Sequence, residues 1–236
     1  MRRLTTGLWL VSGLMLTYAL IYSVAHHSYF AIRHVEVVTP LAHTHEAQLR
    51  RVVQRAIDGG FFSQPLDTVR ARVEKLPWAR EARLTRRWPD TLVLAVQEHQ
   101  AVAHWGTGRL ISDRGVVFDA RLNAPLPQLE GPEGSGPEVL AAWQRYQQWF
   151  APQNLQVTAL SLSARRAWTL TRSDGLRIAL GRFEADARLR RFLDFYPQII
   201  ARLGGVPQYV DLRYPDGFAL GPVMVKPAGV LGKSAS

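Results

Sequence analysis

The sequence predicts an α+β protein with three parts: a single N-terminal transmembrane helix, a strand-helix-helix-strand-strand module, and a C-terminal antiparallel β-sheet domain with helices packed on it. Three observations point there. An uncharged apolar run stands at the N-terminus, period-two segments recur between Gly, Pro and Asp clusters, and segments of helical period separate them. The boundaries that follow are residues 1–6 before the membrane, 7–28 for the span, 29–98 for the first module, 99–225 for the second domain and 226–236 for a disordered tail.

Gly7 to Ala25 contains no charged residue. At about 1.5 Å per residue such a run crosses nearly all of a ~30 Å hydrocarbon layer. Arg2 and Arg3 precede it and Arg33 is the next certain positive charge, which keeps the N-terminus cytoplasmic and exports the rest. The competing reading is a cleaved signal peptide, with Ser23-Val24-Ala25 offering small residues to a peptidase. The length of the run and Trp9, Tyr18 and Tyr22 near its ends favour an uncleaved anchor.

Val35, Val37 and Val38 give the stretch from Tyr29 a strand character, closed by Thr39-Pro40. Thr44 then stands as the N-cap of a helix whose Leu49, Val52, Val53, Ala56 and Ile57 share a face, stopped by Gly59-Gly60. In a second helix Leu66, Val69, Val73 and Leu76 align, and Pro77 forbids continuation. Two strands follow, joined by a turn at Trp88-Pro89-Asp90-Thr91, the second with Leu92, Leu94 and Val96 on its more buried face. Because strand-like composition continues to Trp105, this last strand reads as shared with the next domain, fixing the two together in place of a linker.

In the second domain Asp113-Arg114-Gly115 turns one hairpin and Ser173-Asp174-Gly175 another. Four Pro and three Gly between Asn123 and Glu138 predict a loop. Helices follow at Glu138–Phe150 and from Glu184 to Leu203, each with an aromatic stripe: Trp143, Tyr146, Trp149 and Phe150 on one, Phe192, Phe195 and Tyr196 on the other. Both stripes read as core.

Composition excludes several chemistries. The chain has no cysteine, hence no disulfide, thiolate or cysteine-ligated metal. The formal charge is +10, yet all 29 basic residues except Lys75, Lys226 and Lys233 are Arg, scattered without a basic arm or helix-turn-helix pattern, so nucleic acid is not an expected partner. An arginine-biased surface facing anionic headgroups is the simpler reading. No Gly-x-Ser-x-Gly, phosphate loop or His-Glu-x-x-His is present, so no catalytic residue, metal, cofactor or small-molecule substrate is assigned. His43-Thr44-His45 with Glu46 reads as exposed decoration, and the adjacent His26-His27 as the flank of the membrane span.

The stretch Tyr209 to Leu220 differs in kind. Tyr209, Asp211 and Arg213 alternate with Val210, Leu212 and Tyr214, so bulky groups occupy both faces before Pro215-Asp216-Gly217 breaks the strand. A final strand is commonly a sheet edge, whose unpaired N–H and C=O groups accept a partner's strand. Packing of Tyr214 and Phe218 on their own sheet explains the pattern equally well.

The order and spacing of YFAIRHVEV, LPWAREARLTRRWPDTLVLAVQEHQAVAHW, LISDRGVVF, LPQLEGPEG and YVDLRYPDGFALG resemble the FtsQ/DivIB family of bacterial cell-division proteins over almost the whole chain. Where the family carries a basic residue and a proline after the VQEH stretch, this chain reads Gln100-Ala101; its end reads Gly221-Pro222-Val223 in place of a large residue. The resemblance implies a POTRA-like first module and a non-enzymatic scaffold of the inner membrane at the septum. It also implies that the C-terminal edge binds the coiled-coil division proteins FtsB and FtsL. The residues it marks for that surface are Arg213, Tyr214, Leu212, Asp216, Gly217, Phe218 and Arg165. Arg213 and Arg165 would pair with a partner's acid, and Tyr214 would be an apolar anchor with a polar tip. Two other classes stay open, a POTRA-type transport or assembly module and an exported hydrolase.

Overall fold

A computed structural model describes residues 12–19, 22, 31–214 and 217–223. Most of the expected span, the signal-peptidase site, the expected tail and Asp216 lie outside the described residues. Among the described residues no helix is long and apolar enough to cross a membrane. The chain forms two compact units that divide between His99 and Gln100.

The first unit has the expected order: β1 (His34–Val37), α1 (Glu46–Ala56), α2 (Leu66–Val73), β2 (Ala79–Arg87) and β3 (Thr91–Glu98). β3 is the middle strand, parallel to β1 and antiparallel to β2. Its alternation is realised: Leu92, Leu94 and Val96 are buried against Leu49, Val53, Val69 and Val73 of the two helices. Thr44 is not the cap. His45 is the N-cap, without a side-chain cap bond. The amide of Thr44 instead donates to Glu98 Oε1 at 2.7 Å, and that of Ala42 to Oε2 at 2.8 Å. One carboxylate at the end of β3 thus satisfies the orphan donors of the loop entering the helix. Burial pushes the Glu98 carboxyl up, but these amide donors outweigh it and hold it below the usual carboxylate range. His43 stacks on Trp78, with ring centroids 3.9 Å apart.

The expected shared strand is a misreading. β3 ends at Glu98 in the three-stranded sheet, whereas β4 (Ala101–Trp105) belongs to a nine-stranded sheet. His99 and Gln100 separate them: the amide of His99 donates to Trp78 in the first unit, and the carbonyl of Gln100 accepts from Asp113 in the second. Both flanks have strand composition, so the sequence alone could not show the change of hydrogen-bonding partner.

The second unit continues with β5 (Arg109–Ser112), β6 (Val117–Phe118), β7 (Gln128–Glu130), α3 (Gly136–Phe150), β8 (Val157–Leu162), β9 (Trp168–Arg172), β10 (Arg177–Gly181), α4 (Ala185–Leu203), β11 (Tyr209–Asp211) and β12 (Ala219–Leu220). The strand order is β12-β11-β10-β9-β8-β7-β4-β5-β6. This sheet is mixed and not antiparallel as expected, because β7 is parallel to both β4 and β8, and β10 is parallel to β11. Two of these pairings, β7 with β8 and β10 with β11, follow from the two helices. Each carries the chain back along the sheet between neighbouring strands, so that β7-α3-β8 and β10-α4-β11 are crossovers, which return the next strand in the same direction.

The expected loop at 123–138 correspondingly holds a strand. β7 is only three residues long, flanked by Pro127 and Gly131, yet it sits inside the sheet with Leu129 fully buried. Pro and Gly density hides so short a strand, because its hydrogen bonds are all made to distant segments. The turn at Asp113-Arg114-Gly115 is as expected. Gly115 has φ 78°, and a Cβ there would lie 2.6 Å from Pro137 Cα, so only glycine fits beside the start of α3.

If β7 is a structural strand of the sheet, Leu129→Ala should cost about 2–5 kcal/mol in a urea titration. A loss below about 0.5 kcal/mol, as for an ordinary surface position, would restore the loop reading.

Candidate functional site: an open sheet edge

β11 pairs with β10 on one side and with β12 on the other, and β12 closes the strand order. Among the described residues its outer side has no strand partner. Leu220 lies opposite Val210, between the bonded positions; the amide of Gly221 donates inward to Tyr209 at 2.8 Å. In an antiparallel ladder the direction alternates, so the N–H and C=O of Leu220 face away from β11. The free edge at this end of the sheet is therefore β12, the last two residues of the stretch Tyr209 to Leu220 that the sequence marked, and not the segment that runs through Arg213.

Asp211 shapes the approach to that edge. Its Oδ1 accepts the backbone N–H of Arg213 at 3.0 Å, the local bond by which Asp ends a strand in a turn. The Arg213 guanidinium closes back on the same carboxylate, with Nη2 2.6 Å from Oδ2 and Nε 2.9 Å from Oδ1. These bonds hold the Asp211 carboxyl below the usual carboxylate range, while burial opposes them. The stem of Arg213 runs over Gly181, where a Cβ would come within 3.0 Å of Arg213 Cγ. Leu212 still donates its amide to Ala179 at 2.8 Å, after which the chain leaves the sheet.

The residues marked from the sequence therefore separate. Leu212 is buried in the core and offers no side chain to a partner. Arg213 is exposed but already paired with Asp211. Tyr214 does not follow Val210 and Leu212 inward, because the strand has ended; it is 56% exposed. Gly217 is exposed, and Phe218 is half-buried, edge-on to Phe192 with centroids 5.7 Å apart. Arg165 is exposed in the turn joining β8 to β9. That turn and the end of β11 lie at the same end of the sheet, since Trp168 pairs with Gly181, and Ala179 with Asp211. β9 and β11 are two strand spacings apart, about 10 Å.

Beside the edge runs a mainly apolar groove of about 520 Å³, lined by Phe195, Ile199 and Leu203 of α4, with Gln198 and Arg202 of the same helix, together with Gly217, Phe218 and Leu220. Phe195 is not core as expected: it is 48% exposed, whereas Phe192, one turn earlier, is fully buried. The stripe on α4 is wide enough that one flank packs on the sheet and the other faces the groove. The spacing of Phe195, Ile199 and Leu203 at every fourth residue was the signal available in the sequence, and Pro215-Asp216-Gly217 was the signal for a hairpin to a further strand. In the other aromatic stripe Tyr146 and Phe150 are buried as expected, and Trp143 and Trp149 are partly covered. No three His, Cys, Asp or Glu side chains gather to hold a metal ion among the described residues.

Residues 30–99 match the POTRA domain, FtsQ-type, and residues 103–213 match the C-terminal domain of cell division protein FtsQ/DivIB. Cell division protein FtsQ of Burkholderia pseudomallei is 35% identical over 91% of this chain and 89% of its own length. The chain belongs to the FtsQ/DivIB family of cell-division proteins. FtsQ of Nitrosospira multiformis is 33% identical over 90% of this chain and 92% of its own, and that of Xanthomonas campestris 38% identical over 73% and 63%. β12 lies beyond the residues matched by the FtsQ/DivIB C-terminal domain.

A carboxyl group whose pKa is depressed by folding stabilises the fold above its unfolded value, and that contribution is lost as pH falls through the folded value. Asp211 is such a group. In thermal melts, wild type should therefore lose more stability than Asp211→Asn as pH drops below about 4, the ordinary aspartate range. Parallel pH profiles would show that the Asp211–Arg213 pair contributes nothing to folding.

Proposed function

We propose that this FtsQ/DivIB protein is a non-enzymatic scaffold of the division machinery. It is anchored by its N-terminal run with the two units in the periplasm, and it binds FtsB, with FtsL, by accepting a strand on β12. The carrying observation is the outward N–H and C=O of Leu220 beside an apolar groove. An open edge supplies main-chain hydrogen bonds, and an adjoining groove supplies the pockets that select side chains. Phe195, Ile199, Leu203 and Phe218 offer apolar contact, and exposed Tyr214 stands where the chain turns toward the edge. Arg165 remains a candidate for an acidic residue of the partner. Arg213 reaches a partner acid only by sharing or releasing Asp211. Reversing its charge would place two carboxylates together within the fold, so Arg213→Glu does not isolate partner binding.

Titration of residues 29–236 with the periplasmic part of FtsB tests this reading. Tyr214→Ala should weaken binding by about 2 kcal/mol or more, roughly 30-fold in Kd. Leu220→Pro should abolish most of it by removing the outward N–H, with the circular dichroism of both variants unchanged. Wild-type affinity in folded Leu220→Pro would move the partner off this edge.

The anchor is tested separately. Full-length protein recovered from cells should retain Met1 or Arg2 and resist carbonate extraction, whereas an N-terminus at His26 would establish cleavage after Ala25.

A further inference from the structure

The first unit ends in an apolar and basic tip that the strand-accepting edge does not use. Trp88, in the turn between β2 and β3, is 72% exposed, the most exposed tryptophan among the described residues. A solvent-facing indole of this area is costly to leave in water unless something covers it. The location of this tip narrows what that is. The amides of Arg33 and His34 both donate to the carbonyl of Asp90, so the turn lies beside the start of β1. Ala31 forms a bridge with Gly60, and Arg86 Nη2 donates to the carbonyl of Gln64 at 2.5 Å. These bonds bring the loop from Gly60 to Gln64 to the same end, and with it Phe62, which is 54% exposed. Arg33 and Arg86 belong to the same end of the unit and are exposed. Of the acids at this end, Glu36 pairs with Arg87 and Asp90 lies 3.4 Å from His34, while Asp58, two residues before Gly60, is exposed.

This is the end at which the chain enters the unit from the apolar N-terminal run. Only residues 26–30 separate Ala25 from Ala31, and five residues span at most about 18 Å when fully extended. The headgroup layer is itself roughly 5–8 Å deep on each side of the bilayer. An N-terminal anchor would thereby hold the tip within reach of the lipid surface. We propose that Trp88 and Phe62, with Arg33 and Arg86 of the same end, rest in the headgroup layer of the membrane that holds the N-terminal run, the rings at the acyl boundary and the guanidinium groups on lipid phosphates. Indole rings favour that layer, and the planar guanidinium pairs with phosphate oxygens. The contact rests on the anchoring proposed above. It would fix the orientation of the first unit on the bilayer in place of free swivelling on a short tether.

The test uses full-length protein in lipid nanodiscs made with phosphatidylglycerol brominated near the headgroup. Carbonate extraction of the same protein from cell membranes first reports whether it is anchored, so failure of the anchor is seen separately. The difference in tryptophan emission between wild type and Trp88→Phe isolates Trp88 from the other indoles. Quenching of that difference by brominated lipid is the expected result. The Arg33→Glu, Arg86→Glu double variant should lose it, as should wild type at raised salt in nanodiscs of neutral phosphatidylcholine brominated at the same position. An anchored protein whose Trp88 emission is indifferent to brominated lipid overturns the proposal. So does a Trp88 that becomes quenched or shielded only when another division protein is added, which would assign the tip to a protein partner.

Discussion

The return of the chain through α4 is the constraint on which the proposed binding end of this molecule depends. A helix that leaves β10 and packs on it must deliver β11 in the same direction, because the crossover returns the chain to the end where β10 began. That direction brings the end of β11 beside Gly181 and the turn that carries Arg165. It also leaves one side of β11 open to a short antiparallel return, β12. The same helix supplies one wall of the groove, so the edge and the apolar surface beside it are products of a single element.

The Asp211–Arg213 pair then decides what is presented. Without the bond from the Arg213 amide to Asp211, period-two alternation would carry Tyr214 inward after Val210 and Leu212. With it the strand stops, Leu212 is the last residue in the core, and Tyr214 is delivered to solvent. A charged pair with one nearly buried member is weak evidence for stability in itself. Its effect here is geometric: it ends β11 at a fixed residue and so fixes where the edge strand begins.

Much of this was legible in the sequence where the signal is local. The alternation of Leu92, Leu94 and Val96, the helical faces carrying Leu49 and Val53, and the glycine turns at Gly115 and Gly175 all reflect neighbours in the chain, and all are realised. What escaped depends on distant partners. β7 is recognisable only through β4 and β8, the break at His99–Gln100 only through the change of sheet, and two of the parallel pairings only through the crossovers. The candidate site divides the same way. The resemblance marked Tyr214, Phe218 and Leu212 alike; Tyr214 is exposed and Phe218 half-buried, whereas Leu212 lies in the core, whose depth beneath it is a tertiary fact. Phe195 was assigned to the core because a stripe of apolar residues does not show which of its flanks is covered.

The central claim is that β12 is an acceptor edge whose Leu220 is its free donor. Amide hydrogen exchange of the periplasmic region, read residue by residue with and without the periplasmic part of FtsB, tests it most directly. The amide of Gly221, bonded inward to Tyr209, should exchange slowly in both states. That of Leu220 should exchange rapidly in the free protein and become protected in the complex. A saturated complex in which Leu220 still exchanges rapidly would contradict strand addition at this edge.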